Sequence, residues 1–301
     1  MTIHLAILDV DIPVRPHYHR NGLYSTQYRS IIEPAVHRLS QSHLHPDPIE
    51  LVVSSWDILG GVYPPEHLLQ PPPATTASTT TTNNNNKHDK ITSLLITGSA
   101  SSAYQTTTNP WITPLKTFIR RIYTHHPHIK LIGGCFGHQL IAAALLPDST
   151  RVEQCPFGRE VGVHAVRLAP RFERAFGPVL GGKRALRMQM MHGDWVVSSS
   201  YSHPANLPSP WLNIGWTEQC PIQGLYLPGR VLTLQGHFEI DSGGMSIVAS
   251  EFGPALGWSA EVARMHQERI AWEGGVDDGD VVADVVALFI VGGDLVPVSK
   301  L

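Results

Sequence analysis

A cysteine set between glycines is the first residue whose type and spacing could do chemistry. Residues 130–141 pass from a short apolar run through Gly133, Gly134, Cys135 and Gly137 into a helix-forming run. This is the G-x-nucleophile-x-G spacing of a nucleophile elbow, with sulfur in place of oxygen. Glycines are needed beside so sharp a turn, and a helix N-terminus favours the thiolate. A free cysteine is often a small core residue, but this pattern favours a nucleophile.

A cysteine nucleophile needs a base, and the chain offers 17 histidines. His237 stands out because it follows an apolar run, residues 231–234, and precedes Glu239 by two positions. In an extended chain the two side chains point to the same side, so the carboxylate can hold the imidazole tautomer. The alternative is a surface histidine that lies near an acid by chance.

The remaining cysteines and histidines do not have the spacing of a metal site. Cys135, Cys155 and Cys220 form neither a disulfide framework nor a C-x-x-C pattern, which favours a reducing compartment. The other clustered histidines, at 17 and 19, at 43 and 45, and between 125 and 128, are interpreted as loop residues. There is no HExxH motif, phosphate loop or dinucleotide fingerprint. We therefore predict no metal and no cofactor.

The composition describes an ordinary globular chain. Its 301 residues are 42% hydrophobic and 16% charged, which is enough for one large domain with a substantial core. The net charge of -3 argues against a nucleic-acid partner. The N-terminus lacks the basic region of a signal peptide. The longest apolar stretch, residues 281–290, contains Asp284 and is too short to span a bilayer, so no membrane partner is expected.

The last three residues, Ser299, Lys300 and Leu301, have the form of a peroxisomal targeting tripeptide. The alternative is coincidence on a frayed tail. We expect peroxisomal localisation through the import receptor as a partner, with the cytosol as the alternative location.

The elements that must position these residues follow from the hydrophobic pattern. Buried strands are predicted at residues 3–10, 49–54, 94–96 and 130–133, with helices at 24–39 and 111–123 and a loop at 11–22. Strands that alternate with helices predict an α/β fold with a parallel sheet covered on both faces. Short strand-like runs follow at 162–168, 186–191, 214–217, 224–227 and 231–234, and two helices near 259–272 and 280–290 end the chain.

One segment breaks the alternation without dividing the chain into domains. Residues 70–90 are rich in proline, threonine and asparagine, and few of their side chains could offset the cost of ordering the backbone. We predict a disordered insertion within a single domain that covers residues 1–301. Its core covers about residues 3–250, and a helical extension covers about 255–301.

The elbow, taken with Gly236-His237-Phe238-Glu239, resembles the class I glutamine amidotransferase family, which has Cys, His and Glu in this chain order. Residues 96–104 and 110–112 resemble the oxyanion strand and loop of its GMP-synthase-like branch, which includes stand-alone γ-glutamyl peptidases. Segments 158–162 and 192–194 are similar to motifs of that branch, and the resemblance covers about residues 3–250. It implies a flavodoxin-like three-layer sandwich with a mostly parallel central sheet.

The resemblance also implies roles for the triad. Cys135 attacks the side-chain amide carbonyl of a γ-glutamyl group and forms a thioester. His237 helps to form the thiolate and then protonates the leaving amine, while Glu239 orients His237. One departure is Phe238, because the family usually has proline between the histidine and the glutamate. Since proline fixes φ, Phe238 is expected to relax the geometry of the pair.

Further roles are implied around the triad. Backbone N–H groups of Gly98 and Phe136 would form the oxyanion hole. Gln139, His192 and Asp194 would lie on the substrate side, with Asp194 as the candidate partner of the α-amino group. The alternative is structural: Gln139 would cap the elbow helix and Asp194 would cap a turn.

The function expected from the resemblance is a free-standing cysteine hydrolase or transferase that cleaves a γ-glutamyl amide or peptide bond. Only about fifty residues follow position 250, too few for a fused synthetase domain. The expected partner is a small molecule, either glutamine or a γ-glutamyl peptide or conjugate. One alternative is an ammonia-donating subunit for a separate synthetase partner, and another is a catalytically impaired binding protein with the same fold.

Overall fold

A seven-stranded sheet forms the centre of the computed structural model, which describes residues 1–42, 44, 48–71, 90–199, 205–271 and 277–294. The described strands are β1 (Thr2–Asp9), β2 (Glu50–Asp57), β3 (Ser93–Ile96), β4 (Lys130–Gly134), β5 (Thr150–Gln154), β6 (Glu160–Leu168), β7 (Ala185–His192), β8 (Asp194–Ser198), β9 (Leu212–Asn213), β10 (Gly215–Trp216), β11 (Leu225–Leu227) and β12 (Val231–Leu234). The central sheet has the order β2-β1-β3-β4-β12-β11-β9. Its first five strands are parallel, and β11 and β9 are antiparallel to their neighbours.

Two small antiparallel sheets lie beside the central one, with the orders β10-β6-β7 and β5-β8. The described helices are α1 (Arg15–Asn21), α2 (Tyr24–Ser40), α3 (Glu66–Leu69), α4 (Ile112–His125), α5 (Phe136–Leu145), α6 (Pro170–Leu180), α7 (Ser242–Ala255), α8 (Ala260–Ala271) and α9 (Gly279–Val291).

Helices cover both faces of the central sheet. On β1, Leu5 and Ile7 belong to the cluster that includes apolar residues of α2, α6 and α9, while Ala6 and Leu8 belong to the cluster that includes those of α4 and α5. Successive side chains of a strand point to opposite faces, so a strand buried on both sides is apolar throughout. The predicted α/β fold with a covered, mostly parallel sheet is confirmed.

Several local predictions were wrong. The expected loop at 11–22 contains α1, which begins with Pro16 in its first turn, a position where the missing N–H costs nothing. The strand expected to be buried at 49–54 is β2, a partly exposed edge strand. Pro34 suggests a kink or a late start for the predicted helix at 24–39, but α2 is continuous from Tyr24 to Ser40. Helices α6 and α7 and strands β5 and β8 were not predicted.

Helix α9 is part of the main core. Its apolar residues between 282 and 290 are buried in the same cluster as those of α2 and α6.

Most of the predicted insertion at 70–90 and the tripeptide at 299–301 lie outside the described residues. Within the described ranges, no helix has the length and apolar character needed to cross a membrane.

Candidate active site

Three neighbouring strands end at the same place. Ile96 of β3 pairs with Gly133 of β4, and Gly134 pairs with Leu234 of β12, all in parallel register. Gly98, Cys135 and His237 therefore follow strands whose carboxyl ends meet at one edge of the sheet. A crevice at this edge is where open α/β sheets bind ligands.

The turn at Cys135 is a strained elbow. Cys135 has φ 47° and ψ -104°, and it is the only described non-glycine residue with positive φ. Its N–H donates to the Leu234 carbonyl at 2.8 Å, which ties the elbow to β12. A Cβ at Gly137 would lie 2.3 Å from the Ile96 carbonyl oxygen. The helix therefore passes so close to β3 that only glycine fits, as the spacing predicts.

Substitution Gly137→Ala is expected to lower the free energy of unfolding by about 3 kcal/mol or more, because the clash is with backbone that cannot rotate away. Gly61→Ala is the control, since Gly61 has open space around it and its alanine variant would meet only the strain of a positive φ, 77°. It should cost only about 1–2 kcal/mol from strain. Denaturant unfolding of both variants measures the difference. Equal losses would contradict the close approach of α5 to β3.

His237 and Glu239 form a buried pair beside the elbow. The His237 N–H donates to the Gln189 carbonyl at 2.8 Å, which fixes the backbone after β12. Nδ1 of His237 lies 2.7 Å from Oε1 of Glu239, whose side chain is fully buried. This contact fixes the imidazole tautomer and leaves Nε2 without a claim from Glu239, while the Cys135 side chain is close enough to raise the pKa of His237. The structure thus brings together the three residues predicted as the triad.

Electrostatics favour a charged imidazole. Burial by itself would lower the pKa of His237, but the charges of Glu239 and Cys135 and hydrogen bonds to both outweigh it. The pKa of His237 is therefore held well above its ordinary value. An imidazolium beside the sulfur favours the thiolate, which is the attacking form. His138, the other histidine of the elbow, is fully buried, and burial and the neighbouring His192 lower its pKa to about 3.

The predicted oxyanion residues flank Cys135. Phe136 is the first residue of α5, so its N–H has no acceptor within the helix. Its ring is buried against Trp111, 5.4 Å between centroids. A Cβ at Gly98 would lie 3.3 Å from Cε1 of His237 and 3.7 Å from Cβ of Cys135. The loop after β3 and the start of α5 therefore border the position that a substrate carbonyl would occupy.

Asp11 fixes the Gly98 loop, and the sequence pattern did not identify it. Its Oδ2 accepts hydrogen bonds from the Ser99 hydroxyl at 2.9 Å and from the Ala100 N–H at 2.8 Å. Asp11 follows β1, whose carboxyl end meets the same edge of the sheet, and that placement was the available signal.

Asp11→Ala is expected to lower catalytic turnover about 10- to 100-fold, because the released loop no longer holds its N–H toward the reacting carbonyl. Asp57→Ala is the matched control, since Asp57 also fixes a turn, by accepting the Gly60 N–H at 2.9 Å, but is the last residue of the edge strand β2. Steady-state turnover of the two variants is the measurement. Equal turnover in Asp11→Ala and Asp57→Ala would contradict the role of Asp11.

Two pockets meet at Cys135. A polar pocket of about 100 Å³ is lined by Ser101, Ser102, Gln139, His192 and Asp194, among others. A pocket of about 360 Å³ is also lined by Cys135, and most of its lining is apolar. The three predicted substrate-side residues thus lie together in the polar pocket.

Gln139 and His192 make contacts that position the polar pocket. Gln139 Nε2 donates to the Asp194 carbonyl and to Gln235 Oε1, both at 3.1 Å, and Gln235 Nε2 lies 3.5 Å from the Cys135 sulfur. The His192 ring nitrogens lie 3.0 Å from the Asp194 carbonyl and 2.9 Å from Glu160 Oε2, which leaves neither for a substrate.

Asp194 lines the polar pocket, and one of its carboxylate oxygens has a hydrogen-bond partner. Its Oδ1 accepts a hydrogen bond from the Tyr104 hydroxyl at 3.1 Å. Behind the pocket, Glu160 is buried and contacts Thr217 Oγ1 at 2.6 Å and Gln223 Nε2 at 2.7 Å. Burial would raise the pKa of Glu160, but His192 and Thr217 hold it below its ordinary value. Sequence patterns did not identify Gln235, Tyr104 or this buried network.

The described residues contain no group of three or more His, Cys, Asp or Glu side chains arranged to hold a metal ion.

Solved structures of glutamine amidotransferases share this architecture. A solved glutamine amidotransferase from Thermotoga maritima is 15% identical, with 98% of this chain and 99% of that chain covered and a TM-score of 0.61. One from Methylobacillus flagellatus is 16% identical, with 97% and 94% covered and a TM-score of 0.53. At these identities the similarity concerns the fold.

The chain was also compared with known proteins by sequence. No family model matches the chain. A glutamine amidotransferase-like protein of Schizosaccharomyces pombe is 28% identical over 244 residues, 80% of this chain and 81% of that protein. A Saccharomyces cerevisiae protein named as a glutamine amidotransferase is 33% identical over 155 residues, 51% of this chain and 55% of that protein. Both names mark the assignment as provisional. The chain is therefore similar, in sequence and in fold, to glutamine amidotransferase-like proteins.

Phe238 makes a contact that proline could not make at this position. Its N–H donates to Oε2 of Glu239 at 3.0 Å, and proline has no N–H. Its ring is buried edge-on against Tyr28, 5.2 Å between centroids at 67°. The relaxation expected from the missing proline is therefore opposed by a hydrogen bond to Glu239 and by packing.

Phe238→Pro is expected to lower turnover about tenfold, because Glu239 loses a hydrogen bond to its charged form. Phe238→Leu keeps the N–H and is the control. Both variants should lose stability through the cavity beside Tyr28, but only the proline variant should alter the pH dependence of turnover. Identical pH profiles in the two variants would show that the N–H has no effect.

Proposed function

We propose that this chain is a cysteine-dependent hydrolase of γ-glutamyl amide bonds that acts through a glutamyl thioester. The similarity to glutamine amidotransferase-like proteins supports a glutaminase-type activity of the amidotransferase class. The observation that carries the finer proposal is the buried Cys135–His237–Glu239 arrangement on a strained elbow.

The reaction follows from the order of these groups. The Cys135 thiolate attacks the amide carbonyl carbon, a C–S bond forms, and negative charge develops on the carbonyl oxygen between Gly98 and Phe136. The C–N bond then breaks, and the leaving nitrogen takes a proton from the His237 imidazolium. Water attacks the thioester while His237 removes its proton, and the Cys135 sulfur leaves as glutamate is released.

The polar pocket supports a glutamyl acyl group. The pocket adjoins Cys135 and is lined by serines, Arg159 and Asp194. An α-carboxylate and an α-amino group on one end of the acyl chain match such a mixture of cation, anion and hydroxyls. We assign Asp194 to the α-amino group, as the sequence predicts, while Gln139 and His192 hold the pocket wall.

Glutamate release is the test of this function. The purified chain is expected to release glutamate from a γ-glutamyl anilide and not from the α-glutamyl anilide of the same amine. A glutamine analogue with an electrophile in place of the amide should modify Cys135 and leave Cys155 and Cys220 unmodified. A folded protein that neither releases glutamate nor reacts at Cys135 would contradict the proposal.

A further inference from the structure

Cys135 lies at the boundary between two pockets of opposite character. Ser99, Ala100, Cys135 and Arg159 border both of them. The polar pocket, about 100 Å³, is the proposed glutamyl site. The larger pocket, about 360 Å³, lies within the size range of small-molecule sites. If the glutamyl group occupies the first, the bond that breaks points toward the second.

His237 assigns the larger pocket to the leaving group. His237 and Gly98 border the larger pocket and are absent from the polar one. The proposed mechanism has His237 protonate the leaving nitrogen, so that nitrogen must lie on the His237 side. Any substituent on the nitrogen then extends into the larger pocket.

The walls of the larger pocket are mostly apolar. They include Ile12, Val14, Met245, Val248, Phe252 and Leu256. Met245 and Val248 are buried on α7, immediately after the segment that carries His237 and Glu239. Asp11 also lines the pocket, but its carboxylate already accepts hydrogen bonds from Ser99 and Ala100. Ammonia, the product expected from glutamine, has the size of a water molecule and no apolar surface to bury here.

We propose that the preferred substrate is a γ-glutamyl amide whose amine carries a bulky apolar substituent, rather than free glutamine. This proposal rests on the proposed γ-glutamyl hydrolase function and names its leaving group. The substituent transfers from water to the apolar pocket when the substrate binds. Burial of a leucine-sized group is expected to raise kcat/KM at least about tenfold over glutamine.

Two chemical sources supply such an amine, an apolar amino acid or an alkyl or aryl amine. Arg159 distinguishes them, because it borders both pockets and makes no ion pair or hydrogen bond with another described residue. Its guanidinium has five N–H donors, enough to bind the α-carboxylate of the glutamyl group and also the carboxylate of a leaving amino acid. The matched substrates are γ-glutamyl-leucine and γ-glutamyl-isoamylamide, which differ only in that carboxylate.

The experiment compares kcat/KM for these two substrates, γ-glutamyl-glycine and glutamine with the full chain. Both leucine-sized amides should exceed glutamine at least about tenfold, and γ-glutamyl-leucine should exceed γ-glutamyl-glycine by a similar factor. A preference for either leucine-sized amide supports the proposal, and their order identifies the amine source. Glutamine turned over as efficiently as both would overturn it while the hydrolase function stands.

Variants at the pocket wall provide the second measurement. Ile12 is 66% exposed, so Ile12→Asp should fold and place a charge at the apolar mouth. It should reduce kcat/KM for γ-glutamyl-isoamylamide at least about fivefold more than kcat/KM for glutamine. Leu59→Asp is the control, since Leu59 is 42% exposed and lies outside the pocket. An equal loss on both substrates in Ile12→Asp would also overturn the proposal. Absence of all turnover together with unreactive Cys135 would instead refute the hydrolase function itself.

Discussion

Replacement of Cys135 by alanine is expected to reduce glutamate release from a γ-glutamyl amide by a factor of about 10⁴ or more. Alanine removes the atom that forms the covalent bond but is small enough to fit the elbow. Cysteine and alanine both carry a Cβ and meet the same strain at the φ of 47°, so stability should stay close to that of the wild type. The measurement is the single-turnover rate at saturating substrate.

Cys220→Ala is the matched control for this variant. Cys220 is also free and buried, but it lies in the separate cluster of Cys155, Trp195 and Val197. Burial raises the pKa of the Cys220 thiol, so it stays protonated and unreactive. Its alanine variant should retain turnover within about twofold. If Cys135→Ala keeps a tenth of the wild-type rate, the thioester mechanism is wrong.

Glu239→Gln is expected to cost a factor of about 10²–10⁴ in turnover, because the imidazole loses its orienting charge. The same change must lower the pKa of His237, since the Glu239 charge is a principal cause of its raised value. In the wild type His237 should therefore keep its proton to a higher pH than an ordinary histidine does. In the variant it should lose that proton at a lower pH than in the wild type.

NMR titration of the His237 ring protons measures this shift directly. Glu33→Gln is the control, since Glu33 pairs with Arg29 on the exposed surface of α2. That variant should leave both the His237 titration and the turnover unchanged. A His237 resonance that titrates at its ordinary pH in the wild type would contradict the imidazolium–thiolate arrangement.

Local sequence carried the predictions that succeeded. The elbow is specified by the clash that any Cβ would meet at Gly137, and such a constraint leaves glycine in the sequence itself. The helix α9 and the strands of the sheet carry continuous apolar runs that indicate their burial. The pairing of His237 with Glu239 could be predicted from the sequence because the two residues are two positions apart and make a local contact.

What the sequence could not supply depends on tertiary register. Asp11 and Ala100 are 89 positions apart and meet only because β1 and β3 are neighbours in the sheet. Helix α7 was hidden by Gly243 and Gly244 in its first turn, where Asp241 caps it by accepting the Gly244 N–H at 2.6 Å. Glycine is a poor helix former, and the tertiary contacts of α7 override that preference.

Phe238 shows why a departure from a family pattern has to be interpreted in three dimensions. As a residue type it predicts a looser pair, since proline would have fixed φ. In the fold its N–H contacts Glu239 and its ring packs on Tyr28, so the departure brings restraints of a different kind.

The central claim is that Cys135 becomes acylated by a γ-glutamyl group. The most direct measurement is acid quench of the wild type during turnover of a γ-glutamyl anilide, followed by peptide mass spectrometry. The account predicts one γ-glutamyl addition, labile to hydroxylamine, on the peptide that contains Cys135 and none in Cys135→Ala. Turnover without any such adduct, or an adduct on Cys155 or Cys220, would contradict it.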